Sequence, residues 1–428
     1  MTTTRIPCKS ENCAAAILPA TADKTGGYCM PCQQAMKRRE QEEYIRLNRK
    51  DINLYENVTD PVEILKIMYT PRQRNVLENY IPYDKSAEQL YRMLSKHDVA
   101  KLKAYTAELI GQGRMDQAEE ILLSLACFAE VPIAEFLGDL IREQRYYPGI
   151  LYRQAPAGIR DHLIREIDTD AGSRNHLLLA LAWIGDETVV ELFHRWRTEP
   201  PVWRGELYVA PELYAHEAGW ELTEDGQRRD LFYKTSYPFE QGASAPDDAA
   251  VLLTESGQGC PWCERPLAVL FDLNLAHPSL EFLRIRGERL KIAACLSCNC
   301  YGYMYTDVET DGTFTWSAHN GKPAGVGETG EGGDICGSSA PRSLRLSAEP
   351  RGPYYAAVWT LEPAASSQVG GHPAWIQDAE YPDCPECSRA MKFIAQMNGE
   401  DVEEYGEGIY YGFLCQPCRI AAVHYQQT

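Results

Sequence analysis

No apolar run in this 428-residue chain reaches membrane-spanning length. The opening residues, "MTTTRIPCKSENC", lack the apolar stretch of a secretory signal. The expectation is therefore a cytoplasmic protein without a membrane partner. Histidine is scarce, at nine residues, and none pairs with cysteine at the spacing of a catalytic zinc deaminase. G-x-S-x-G, H-E-x-x-H, a P-loop and a G-x-G-x-x-G after a strand are all missing. The sequence offers no catalytic residue and no cofactor-binding loop, and the expectation is a protein that is not an enzyme. Positive charge is also short. Forty-two Lys and Arg face 61 Asp and Glu, a formal net charge of −19. That balance disfavours broad nucleic-acid binding, which needs cations to neutralise phosphates. It favours solubility or a basic protein partner.

Cysteine is abundant, at 15 residues. With no signal for export, metal binding is favoured over disulfides. Twelve of the cysteines sort into three sets: Cys8, Cys13, Cys29 and Cys32; Cys260, Cys263, Cys295 and Cys298; Cys384, Cys387, Cys415 and Cys418. A C-x-x-C turn brings two thiolates to one metal, and two such knuckles complete a tetrahedral site with Zn–S near ~2.3 Å. The expected cofactor is structural zinc, about three ions per chain. All four ligands of each site are protein thiolates, so no position is left for a reacting water. Of the others, Cys127 lies in the apolar "ILLSLACFAE" and reads as core, Cys300 could compete as a ligand, and Cys336 in a Gly-rich stretch has no assignment.

One segment occurs twice. "CPWCERPLAVLFDLN" (260–274) returns as "CPECSRAMKFIAQMN" (384–398), with both Cys, the Pro, the Arg and the final Asn in register. In each copy a knuckle feeds an apolar run, and a second knuckle feeds another, "YGYMYTDV" and "IAAVHYQQ". The pattern predicts knuckle, strand, knuckle, strand. "YGYMYTDVETDGTFTWSAH" predicts a hairpin turning at Asp311-Gly312. Neither copy buries enough core alone, so pairing between copies and metal binding both support folding.

The fold class expected is α+β multidomain. Residues 1–50 are an N-terminal zinc finger with a charged helix, "MKRREQEEYIRLNRK" (36–50), the one clearly basic part of the chain. Residues 51–200 show apolar residues at helical spacing and predict a HEAT-like series of helix pairs. Leu178, Leu181, Val190 and Phe193 are expected to pack across the Gly-Asp turn of one pair. His176 and His194 in this region read as packing or surface residues. Residues 201–250 form a connecting segment, and 251–428 the duplicated β-rich zinc-binding module.

The C-terminal part resembles a known group. "GGHPAWIQDAEYPDCPECSRAMKFIAQMNGE" and "GIYYGFLCQPCRIAAVHYQQ" resemble the bacterial YwqG-like family through Gly370, Gly371, Pro373, Trp375, Gln377, the Cys384/Cys387 knuckle, Met391, Phe393, Gln396 and the Cys415/Cys418 knuckle. The likeness covers roughly residues 250–428. Proteins of that kind occur among immunity proteins encoded beside polymorphic toxins, including Rhs-type effectors of type VI secretion, some of them ADP-ribosyltransferases. The resemblance implies an immunity protein that binds a cognate toxin with a basic catalytic cleft and plugs its active site. The same knuckle and F-x-x-Q pattern is also similar to the programmed-cell-death-2-like proteins, which implies the alternative of an acidic chaperone for a basic translation-related protein. Candidate contacts are the 238–250 loop, the 320–343 loop and the acidic hairpin 398–408, which carries Glu400, Asp401, Glu403, Glu404 and Glu407.

Overall fold

Prolines, caps and left-handed glycines set where the elements begin and end. The computed structural model describes residues 5–243, 245, 247–324, 326, 342–363, 365–403 and 406–427. Contacts divide the chain into two units, Met1–Ala87 and Glu88–Thr428. In the first, β1 (Ile6–Pro7) and β2 (Ala16–Ile17) form a small antiparallel hairpin. Helices α1 (Pro19–Thr25) and α2 (Met30–Asn48) follow, each with Pro in its first turn. Helix α2 starts earlier than its charged run predicts, because Cys29 is its N-cap and Pro31 opens it; it buries no residue. Strand β3 (Lys50–Ile52) pairs in parallel with β4 (Glu78–Tyr80) across α3 (Pro61–Tyr69), where Asp60 caps the N–H of Val62.

The second unit opens with helices α4 (Ala87–Met93), α5 (Lys96–Gly111), α6 (Met115–Cys127), α7 (Leu137–Arg142), α8 (Ala157–Thr169), α9 (Arg174–Ile184) and α10 (Glu187–Thr198). A capping box between Ser95 and Asp98 starts α5. Gly185, at φ 50°, ends α9, and Asp186 accepts from the N–H of Val189 to start α10. That cap fixes the helix rotation. Leu178, Leu181, Val189 and Phe193 are fully buried, whereas Val190, one residue on, is only partly so.

Three antiparallel sheets complete the described part of the unit. Strands β5 (Trp220–Leu222) and β6 (Arg228–Asp230) form a short pair. The remaining strands are β7 (Tyr233–Gln241), β8 (Ala250–Gly259), β9 (Pro266–Asn274), β10 (Arg289–Ala294), β11 (Met304–Val308), β12 (Phe314–Trp316), β13 (Leu344–Leu346), β14 (Gln368–Gly371), β15 (Lys392–Asn398), β16 (Ile409–Cys415) and β17 (Ile420–Gln426). The large sheet runs β12-β11-β17-β16-β15-β14-β7-β13, the small one β10-β9-β8. Leu267, Val269 and Phe271 of the small sheet share one core with Ile394, Tyr410, Leu414 and Val423 of the large one. The other face of the large sheet buries Phe393, Tyr411, Phe413 and Ala422 under Trp375, Tyr381 and Phe232. The segment 201–250, expected only to connect, buries Trp203, Trp220, Phe232 and Phe239 and supplies three strands. Its aromatics explain this: Trp220 stacks on Phe193 at 5.8 Å and donates to the Ala182 carbonyl at 2.8 Å, tying helices to sheet.

The duplicated segments take the same path with one strand more than expected: knuckle, strand, strand, knuckle, strand. Of the extra members, β16 is buried along its whole length, so period-two alternation does not announce it; β10 alternates only briefly, as Arg-Leu-Lys-Ile before two alanines. The hairpin at Asp311-Gly312 is present, with Asp311 Oδ1 accepting from the Thr313 N–H at 2.8 Å. The last strands of the two copies pair with each other, Met304 opposite Val423 and Asp307 opposite Ile420.

Candidate metal centres

Each cysteine set converges. Within every quartet the four Sγ atoms lie within 4.8 Å of one another. Across the knuckles, Cys13 and Cys29 stand 3.7 Å apart, Cys263 and Cys295 3.5 Å, and Cys387 and Cys415 3.7 Å. Four sulfurs around zinc at ~2.3 Å stand about 3.8 Å apart at tetrahedral angles. A disulfide holds its sulfurs at about 2.05 Å, so these distances suit a shared cation. Any of the three quartets could hold one metal ion.

The local backbone shows how the sequence builds these pockets. In the second set, the N–H of Cys260 donates to the Arg265 carbonyl at 2.7 Å and the N–H of Glu264 to the Cys260 carbonyl at 2.8 Å. The third set repeats both bonds, Cys384 to Arg389 at 2.9 Å and Ser388 to Cys384 at 2.8 Å. Glu264 at φ 63° and Ser388 at φ 55° take the same left-handed position. The sequence repeat is thus a repeat of a turn. The Arg common to both copies stands beside both centres: Arg265 Nη1 donates to Ser297 Oγ at 2.9 Å, between Cys295 and Cys298, and Arg389 hydrogen-bonds the Cys387 sulfur. Four thiolates with one divalent cation keep a charge of about −2, which a nearby guanidinium offsets.

Thiols held this close divide their protons unevenly. Cys260 is brought down to about 5, first by its hydrogen bond with Cys295 and further by the N–H groups of Trp262 and Cys263, against the effect of burial. Cys295 is driven upward by Cys260 and by burial. In the first set Cys8 falls to about 7, chiefly through the N–H of Cys29, while Cys32 rises to about 12 beside Cys29 and Cys13. Burial lifts Cys387, but hydrogen bonds from Arg389 and the neighbouring thiols outweigh it and hold the group at about 6. A cation removes this competition, since it stabilises all four sulfurs as thiolates.

The first centre is almost its own core. Its buried residues are Cys8, Ile17 and Cys29, with Cys13, Ala22, Tyr28 and Cys32 packed around them. The second and third sit at the margins of large aromatic and aliphatic cores.

The other sequence candidates fall in different places. Cys127 is fully buried in α6, and desolvation pushes its thiol up to about 12, as a core cysteine requires. Cys300 is exposed, stands outside the quartet and approaches the Ser297 carbonyl at 3.7 Å; Cys336 and Glu404 lie outside the described residues. The 238–250 loop is shorter than expected, because Leu344–Leu346 pairs with Phe239–Gln241 and makes those residues strand. Of the 320–343 loop, 325 and 327–341 lie outside the described residues. The acidic 398–408 segment joins β15 to β16 through a single helical turn, α11 (Gly399–Val402). Its acids are not equivalent. Asp401 turns inward and accepts from the N–H groups of Ser366 at 3.1 Å and Ser367 at 2.7 Å, so it serves the fold and is not free for a partner. Glu400 and Glu407 are exposed and Glu403 partly so.

The residues behind the YwqG-like resemblance also have structural tasks. Gly370 and Gly371, at φ 73° and 71°, bend β14 where a side chain would strike Thr235 and Ser236. Gln396 is fully buried; its Oε1 accepts from the Ala374 N–H at 2.9 Å and its Nε2 donates to the Ser366 carbonyl at 2.8 Å. Trp375 packs on Tyr411 at 4.7 Å, and Gln377 donates to the Gln427 carbonyl at 2.8 Å. Sequence reading missed one group, the cations Arg92, Arg153, Lys234 and Arg351, which line a single cleft. Their positions share no spacing that could have signalled it.

Among the described residues no helix is long and apolar enough to cross a membrane. No family model and no solved structure matches the chain. It is 41% identical over 433 residues to YpfL, an uncharacterized protein of Salmonella typhimurium, and the likeness covers 99% of each. The chain therefore belongs to the family of YpfL.

Proposed function

We propose that this protein is a zinc-braced binding protein that neutralises a secreted antibacterial toxin in the cytoplasm. In this reading zinc occupies all three quartets and fixes the geometry of an N-terminal finger and of the duplicated YwqG-like module. The helix pairs α5/α6, α8/α9 and α9/α10 act as a HEAT-like arm that widens the binding face. The protein performs no chemistry of its own. It docks on the basic catalytic cleft of a toxin, an Rhs or type VI ADP-ribosyltransferase being the class that the resemblance suggests, and plugs it.

The observation that carries the reading is charge. Residues 88–428 hold 50 Asp and Glu against 29 Lys and Arg, while residues 1–87 hold 11 against 13. The second unit is therefore strongly anionic. An anionic surface speeds association with a cationic cleft and disfavours wrong partners. Closed all-thiolate sites support a structural use of the metal, since they keep no open coordination position. Glu400, Glu403, Glu404 and Glu407 are the proposed contacts. The same acidity suits an acidic chaperone for a basic translation-related protein, which would release its client where an immunity protein holds it.

Co-expression with the toxin encoded beside this protein's gene tests the reading. Growth is expected to be restored, and the two proteins to co-purify. Absence of protection, or capture of a ribosomal protein in place of a toxin, removes the immunity reading.

A further inference from the structure

One cleft of the acidic second unit is lined by cations. Its walls come from α4 (Arg92), the turn after α6 (Glu130), the stretch between α7 and α8 (Arg153), β7 (Lys234) and the segment before β14 (Arg351). It encloses about 760 Å³, within the range of roughly 300–1,000 Å³ usual for small-molecule sites. Glu130 is the single carboxylate among the described lining residues.

The two central arginines spend their hydrogen bonds on neutral acceptors. Arg351 is 8% exposed. It donates to the Ala365 carbonyl at 2.8 Å and to Gln368 Oε1 at 2.9 Å, and lies 4.3 Å over the Tyr355 ring. Arg153 reaches the Ala126 carbonyl at 3.5 Å and lies 4.2 Å over Tyr354. The Nε of each is a buried donor with no acceptor. Glu88 and Asp401 act on Arg351 through space. Lys234 meets Asp230 at 3.4 Å on the surface, and Arg92 is exposed on α4. Burying guanidinium charge without an anion is unfavourable. The lining of the cleft thus carries a surplus of positive charge that an anion from outside would complement.

We propose that this cleft binds a small molecule carrying two or more phosphate groups. Arginine forks match phosphate oxygens in bidentate pairs. Lys234 and Arg92 at the mouth supply point charges for a second phosphate. Tyr354 and Phe128 give the cleft an aromatic wall. This proposal is independent of the toxin reading, since it concerns the purified protein alone.

Titration calorimetry of the full chain with inorganic tripolyphosphate tests it. One site per chain with Kd below about 1 mM at moderate salt is expected. Citrate, a carboxylate of similar charge, should bind at least about tenfold more weakly. Lys234→Gln and Arg92→Gln change exposed residues and should each weaken binding about threefold or more, and Arg153→Gln by about tenfold. Arg142→Gln, on the exposed face of α7, should leave it unchanged. Thermal unfolding of each variant checks that the fold is retained. No binding up to about 10 mM, equal affinity for citrate, or affinity unchanged in both Lys234→Gln and Arg92→Gln would overturn the assignment.

Discussion

Cys263 Sγ stands 3.5 Å from Cys295 Sγ across 32 positions of sequence, too far for a disulfide and close to the edge of a tetrahedral zinc site. Cys13 and Cys29, and Cys387 and Cys415, stand 3.7 Å apart. The three centres differ in what surrounds them, and so in what their loss should do.

Cys29→Ala removes a ligand where the sulfurs themselves are the core. The finger is expected to lose hydrogen-exchange protection from Ile6 to the first turns of α2, with the second unit unaffected. Cys387→Ala acts beside a core of Phe393, Tyr411, Phe413 and Trp375. It should lower the thermal midpoint while leaving the strands protected. Equal, global loss in both variants would contradict this ranking.

Glu264 and Ser388 hold left-handed conformations that a side chain disfavours by roughly 1 kcal/mol. Ser388→Gly should therefore be neutral or stabilising by about 0.5–1 kcal/mol, and Ser388→Val destabilising by more than that. Chemical denaturation of the zinc-loaded protein measures both. A destabilising glycine would show that the Ser388 side chain has a use of its own.

Much of this architecture was legible in the sequence, and the gaps have physical causes. The quartets could be read because the pairing of nearby cysteines is local, and the repeat because Cys, Pro and Arg mark one turn and Asn ends the strand after it. Strand β16 escaped because burial on both faces erases alternation, and β10 because its alternation lasts only four residues. Asp401 looked like its acidic neighbours, since nothing in "NGEDVEEYGEG" says that one carboxylate turns toward Ser366 and Ser367. The cationic cleft was invisible because Arg92, Arg153, Lys234 and Arg351 come from four separate segments.

That difference among the acids can be tested. Exchanging the exposed Glu400 and Glu407 for Gln should slow association with a basic partner and weaken its salt dependence, without loss of stability. Asp401→Asn should do the opposite, costing about 1–2 kcal/mol of stability and leaving the association rate unchanged. Stopped-flow binding and thermal unfolding separate the two.

Glu217 gives a pH dependence of definite sign. Burial, with Asp378 nearby, raises its carboxyl to about 8, against an ordinary value near ~4.3. The folded state then holds a proton that the unfolded chain has released. Glu217 therefore reduces stability progressively as pH rises from the unfolded value toward about 8. Glu217→Gln should raise the thermal midpoint at pH 8 by a few degrees and have little effect near pH 4. A lower midpoint at pH 8 would mean that the ionised carboxylate is needed.

Metal content of the protein, purified without added metal or chelator, tests the account at its base. Elemental analysis with intact-mass measurement should find about three zinc ions per chain and no cysteine of the quartets in a disulfide. A value near zero, with the quartet cysteines cross-linked to one another, would contradict it.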